Sequence, residues 1–202
     1  MTDWQAVTTQ TYDDSATALA EYFKGIGPRT IYIDLAFKLI GDMPQAKVVE
    51  IGCGDGRDAA AIVTKTDNYV GFDPSRGMIA LARKRLPKVS FEISDALSFD
   101  YPDNTDIIFA FSSLLHIPIE DLKKVIEKVS RSLRSGGLLY ITLKESDTYE
   151  ERVKEDQFGS RVFYYYSTED IIAASNNHFD KVIEIHETIG HTKWLELGLR
   201  RT

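Results

Sequence analysis

Two hydrophobic periods alternate along the chain. "AKVVEIG" (46–52), "NYVGFD" (68–73), "KVSFEIS" (88–94), "TDIIFAF" (105–111) and "GLLYITLK" (137–144) are short apolar runs rich in β-branched and aromatic residues. Such runs predict parallel strands buried on both faces. Between them the period lengthens. In "IEDLKKVIEKVSRSLRSGG", Leu122, Val125, Ile126, Val129 and Leu133 share one helical face, and Gly136 and Gly137 are expected to stop the helix. "DPSRGMIALARKRL" predicts another helix, with Pro74 and Ser75 at its start and basic residues in its last turn. Strand and helix in alternation predict an α/β domain with helices on both sides of a sheet.

Both ends depart from that alternation. Residues 12–24 and 29–40 read as amphipathic helices separated by "GIGP", forming a cover over the sheet. The polar stretch "ESDTYEERVKEDQFGSR" is expected to be a solvated loop that closes over substrate. The aromatic run after it, Phe163 to Tyr166, either walls a pocket with Arg161 at its mouth or is ordinary strand and core. "YSTEDIIAASNN" opens on Ser167 and Asp170, a helix-starting pair. "KVIEIHET" and "TKWLELGLR" alternate with period two and meet through Gly190, which predicts a terminal antiparallel hairpin. The whole is expected to be one domain, residues 1–202. N-terminal cover helices take 1–44, a ligand-binding core 46–144, and a cover loop, helix and hairpin 145–202. Its doubly wound, mostly parallel sheet has seven strands.

Charge and cysteine content narrow the partners. A net charge of −7 argues against long nucleic acid, which needs clustered Lys and Arg. The single cysteine, Cys53, allows neither an internal disulfide nor a thiolate metal cluster, so no metal site is expected. No basic-then-apolar leader opens the chain, and no apolar run approaches about 18 residues. A cytoplasmic protein without membrane contact is expected, as monomer or homodimer.

The candidate chemistry lies in "KVVEIGCGDGRDAA" (47–60). Glycines at 52, 54 and 56 close one strand and open a helix, where backbone must turn sharply or approach a ligand closely. Asp73 ends the next strand about 20 residues on, where a carboxylate can accept from two ribose hydroxyls. The dehydrogenase spacing G-x-G-x-x-G is not met, because Arg57 follows Gly56. Glu50, two residues before the first glycine, suits a cationic ligand better than a pyrophosphate.

E-x-G-x-G-x-G followed by an acid after the second strand resembles the class I S-adenosylmethionine-dependent methyltransferases of the small-molecule branch, which are Rossmann-like. The resemblance runs from about residue 10 to 200 and implies S-adenosylmethionine as cofactor. It also implies roles: Glu50 ordering the loop, Gly52, Cys53 and Gly54 lining the methionine portion, and Asp73 holding the ribose. "ISDAL" is similar to the family's adenine site, with Asp95 and Ala96. "FAFSSLLHI" is similar to the segment beneath the methionine, with Phe111 as its candidate contact. Tyr12 would lie over the cofactor, and Met78 would pack on the adenine or simply belong to the core. His116 is placed to accept a proton, or merely to pack the turn before Pro118. The expected activity is methyl transfer to O or N of a small molecule. "FSSL" stands where adenine- and amide-methylating members carry "DPPY" or "NPPY", which sets those substrates aside. A non-catalytic cofactor-binding or scaffold protein, and a nicotinamide-dependent oxidoreductase, are the alternatives.

Overall fold

The computed structural model describes residues 2–202. The chain opens with α1 (Trp4–Asp14), α2 (Ala16–Phe23) and α3 (Thr30–Leu39), then runs β1 (Val48–Ile51), α4 (Ala59–Ile62), β2 (Tyr69–Asp73), α5 (Arg76–Arg85), β3 (Ser90–Ile93) and β4 (Thr105–Phe111). It continues through a single turn of 3₁₀ helix at Leu114–His116, α6 (Ile119–Ser132), β5 (Leu133–Glu145), β6 (Glu150–Asp156), β7 (Gly159–Tyr166), α7 (Thr168–Ala174), β8 (Phe179–Ile189) and β9 (Thr192–Arg201).

The parallel strands lie in the order β3-β2-β1-β4-β5, and antiparallel β9 then β8 continue past β5. All seven residues of β4 are buried, and its side chains divide between two cores. Ile108 and Ala110 join Leu139, Ile141 and the α6 residues Leu122, Val125, Ile126 and Val129 on one face. Ile107, Phe109 and Phe111 join Tyr140 and the α3 residues Ile33, Ala36 and Phe37 on the other. Two-sided burial is the reason these strands read as continuous apolar runs. Helix starts follow their caps: Ser75 accepts from Met78 N, and Ser167 and Asp170 form a reciprocal capping box.

Three expectations change. The N-terminal helix begins at Trp4, not residue 12, and breaks at Ser15. The buried residues of α1 are Thr8 and Thr11, so it carries no apolar stripe to read. The segment 145–161 is not a loop: β6 pairs with β7 from Glu150↔Tyr165 to Asp156↔Gly159, and β7 joins β5 in parallel at Lys144↔Tyr165 and Glu145↔Tyr166. This raises the sheet from seven strands to nine. Its outer strand, "EERVKED", is an exposed edge, where charge is the usual guard against further pairing and leaves no alternation to detect. Finally, α6 ends at Ser132 and strand pairing resumes at Leu133↔Thr105, ahead of the two glycines. Gly137 serves close approach instead: a Cβ there would sit 3.0–3.2 Å from the carbonyl oxygens of Arg134, Thr105 and Asp106.

The edge of β7 that faces away from β6 is covered by α1 over the residues that precede its pairing with β5. Thr8 Oγ1 accepts from Val162 N (3.0 Å), Thr11 Oγ1 donates to Ser160 O (2.7 Å), and Ser15 Oγ donates to Phe158 O (2.8 Å). Three hydroxyls along one side of the helix thereby complete a strand edge. The other side of α1 is fastened to α5, where Asp13 Oδ1 accepts from Ser75 Oγ (2.8 Å) and Gly77 N (2.9 Å).

Candidate functional site

The first βα loop sets the geometry. Gly52, Gly54 and Gly56 all have positive φ (68°, 54° and 77°), a region that disfavours side chains. Gly52 is needed twice over, because a Cβ there would lie 2.3 Å from Ser113 Cβ. At Gly54 a Cβ would meet no atom within 4 Å, so this part of the loop faces open space. Asp73 locks the loop from β2: its Oδ2 accepts from Gly54 N (3.0 Å) and its Oδ1 from Ser75 N (2.9 Å). Burial pushes its carboxyl up to about 6 against those two hydrogen bonds. Burial likewise pushes the Cys53 thiol well up, which makes it a poor nucleophile at neutral pH.

The loop opens onto a cavity of about 900 Å³ at the carboxyl ends of β1, β2, β4 and β5. Open α/β sheets place their ligands there. Tyr12, Gly52, Cys53, Gly54, Asp73, Met78, Asp95, Ala96, Phe111 and His116 all line it. Glu50 does not. Its buried carboxyl lies behind the loop, accepts from Tyr69 Oη (2.5 Å), and is raised well above the usual carboxylate range by burial. Asp95 Oδ1 is engaged by its own turn, accepting from Leu97 N (2.8 Å) and Ser98 N (2.9 Å). Met78 is a core residue, packing with Ala16 and Leu19, and it also lines the cavity.

His116 is enclosed. Its Nδ1 lies 2.6 Å from Val162 O, which can only accept, so that nitrogen carries the proton. Its Nε2 lies 3.0 Å from Tyr12 Oη. Burial, helped by Arg161 and Lys144, pushes the imidazole down to about 3, so the ring is neutral at physiological pH. The aromatic run divides by strand face: Arg161 and Phe163 line the cavity, while Tyr164 and Tyr166 pack against Tyr149.

Several wall residues had no sequence signal. Arg29, at the start of α3, binds Asp58 through its backbone N (2.8 Å) and Nη1 (2.7 Å), and donates through Nη2 to Ser112 Oγ (2.8 Å). Ser112 itself has φ 52°, a strained conformation of the kind that collects at ligand sites. Glu196 on β9 is buried, accepts from Thr142 Oγ1 (2.7 Å), and is pushed up to about 7 by burial. These positions come from segments far apart in the chain, and only the fold assembles them.

A family model described as a methyltransferase domain matches residues 48–137. Trans-aconitate 2-methyltransferase of Variovorax paradoxus is 30% identical over 150 residues, spanning 72% of this chain and 52% of that protein. The fold is also that of magnesium protoporphyrin IX methyltransferase from Synechocystis PCC 6803, solved with bound S-adenosylmethionine. The TM-score is 0.76 at 15% identity, covering 100% of this chain and 99% of the other. The chain belongs to the class I S-adenosylmethionine-dependent methyltransferases. Phosphoethanolamine N-methyltransferase 2 of Caenorhabditis elegans is a further relative, 30% identical over 132 residues that span 58% of this chain and 30% of that one. The methyltransferase chain described here thus spans about half, or less, of the length of these curated relatives. The matched segment takes in the glycine loop, Asp73, Asp95 and His116; the cover helices and both hairpins lie outside it.

Proposed function

We propose that this chain transfers a methyl group from S-adenosylmethionine to an oxygen or nitrogen of a small molecule. The observation that carries the reading is the cradle at the end of β1: three positive-φ glycines, of which Gly54 faces open space and is tied to Asp73 through its N–H. The charges beside it suit the zwitterionic amino-acid end of the cofactor, with Arg29 and Arg57 both paired to Asp58, and Asp55, which pairs with Arg85, on the same wall. Gly52, Cys53 and Gly54 would hold that end with backbone, Asp73 the ribose, and Asp95 and Ala96 the adenine. Tyr12, Met78 and Phe111 would supply apolar contact, and Glu50 would support the loop from behind. When bound, S-adenosylmethionine supplies a methyl carbon activated by a positively charged sulfur.

The chain's own contribution is alignment, since an in-line transfer gains most from holding the reacting atoms in place. His116 fixes Tyr12 over the cavity by their hydrogen bond. As a proton acceptor on the wall Glu196, held near 7, is favoured at neutral pH over His116, which is pushed down to about 3 and whose Nε2 is already engaged by Tyr12. A small acceptor accords with relatives named for trans-aconitate and phosphoethanolamine.

Calorimetric titration with S-adenosylmethionine, S-adenosylhomocysteine and NADH tests the reading. Micromolar-range binding of the first two without the third is the expected result. Binding of NADH alone overturns it.

A further inference from the structure

The register of β5, β7 and β6 gathers cations on one face. Lys144 pairs with Tyr165, while Arg152 and Lys154 of β6 lie opposite Phe163 and Arg161 of β7. Strand alternation then puts Lys144, Arg152, Lys154, Arg161, Phe163 and Tyr165 on the same side. Lys144, Lys154, Arg161 and Phe163 from this set line the cavity.

The charge there is only partly compensated. Arg152 pairs with Glu150 and Arg161 with Asp156, but among the described residues neither Lys144 nor Lys154 has a carboxylate at ion-pairing distance. Arg161 is 6% exposed, and its buried Nε has no hydrogen-bond partner. Lys144 Nζ rests 3.4 Å from the centroid of Phe163. Burial, reinforced by the charges of Lys154, Arg161 and Arg152, pushes its ammonium down to about 8. A partly buried cation such as Lys144 is costly without a counter-charge, and a chain with net charge −7 has carboxylates to spare for it. The carboxylates of the opposite wall are otherwise engaged: Glu187 accepts from Tyr32 and Glu196 from Thr142, and Trp194 stands between Lys144 and Glu187 in the strand register.

We propose that Lys144 and Arg161, with Lys154 at the rim, form an anion subsite that holds a carboxylate or phosphate group of the methyl acceptor. The acceptor is then a small anionic metabolite, bound through its charge at the β6–β7 hairpin. This rests on the methyltransferase reading, in which the glycine-loop end of the same cavity takes the cofactor.

The test uses the full chain saturated with S-adenosylhomocysteine, titrated calorimetrically with citrate and with inorganic phosphate. Saturable one-to-one binding of either probe is expected, and which one binds separates a carboxylate site from a phosphate site. K144M should weaken that binding by about tenfold or more, K144R should largely restore it, and exposed K154Q should weaken it by about threefold. S-adenosylhomocysteine affinity should stay within about twofold of wild type in all three, confirming that each variant is folded. Binding of neither probe, or binding unchanged in K144M and K154Q, overturns the anion subsite while leaving cofactor recognition intact. Anion binding without any binding of S-adenosylhomocysteine upholds the subsite and overturns the cofactor assignment instead.

Discussion

At Gly52 and Asp73 single atoms decide what the loop can bind. Replacing Gly52 by alanine puts a Cβ 2.3 Å from Ser113 Cβ at a φ of 68°. G52A should lose about 1–3 kcal/mol of stability from the backbone conformation alone, and chemical denaturation would show it as a lower midpoint. Asp73 makes a pH prediction. Its carboxyl titrates near 6 in the folded chain, above its ordinary 3.8, so the folded state holds the proton more tightly than the unfolded one. Its contribution to stability is therefore greatest at acid pH and is lost as pH rises through 6. In the proposed role, with Asp73 holding the ribose, cofactor affinity runs the other way, because an ionised carboxylate is the stronger acceptor for ribose hydroxyls. S-adenosylhomocysteine affinity should fall as pH drops below about 6, and D73N should be weak and much less pH-dependent; an unchanged slope in D73N would assign the effect elsewhere.

Among the elements, α1 and the β6–β7 hairpin depend on each other. Val162 is fully buried, and its N–H finds its acceptor in Thr8 Oγ1. T8V keeps the side-chain shape and removes that acceptor, which should cost about 1–3 kcal/mol. Amide hydrogen exchange offers the local readout: Val162 should lose protection while β4, buried along its whole length, keeps it. The same two elements show where sequence pattern fails. β4 was legible to the residue because seven consecutive buried positions leave an unmistakable apolar run. α1 and β6 were not, since one is held by threonine and serine hydroxyls and the other is a charged edge, and neither contact involves apolar periodicity.

Across the whole molecule, the ligand end that was legible is the one built from contiguous sequence. Gly52, Gly54 and Asp73 are read from one βα unit and its successor, and they meet as expected. The other end is assembled from Lys144, Arg161 and Glu196, which only the packing of β5 with the two hairpins brings around one cavity. A single chain of hydrogen bonds spans these parts, from Tyr12 on α1 through His116 after β4 to Val162 on β7. Val162 O accepts the imidazole's one proton, so the other nitrogen must receive one, and the phenol of Tyr12 is left to supply it. The oxygen of Tyr12 therefore keeps only lone pairs to offer a bound molecule, so that atom welcomes hydrogen-bond donors or polarised C–H groups and leaves any anion to Arg161, whose guanidinium lies 5.7 Å from the centroid of the Tyr12 ring.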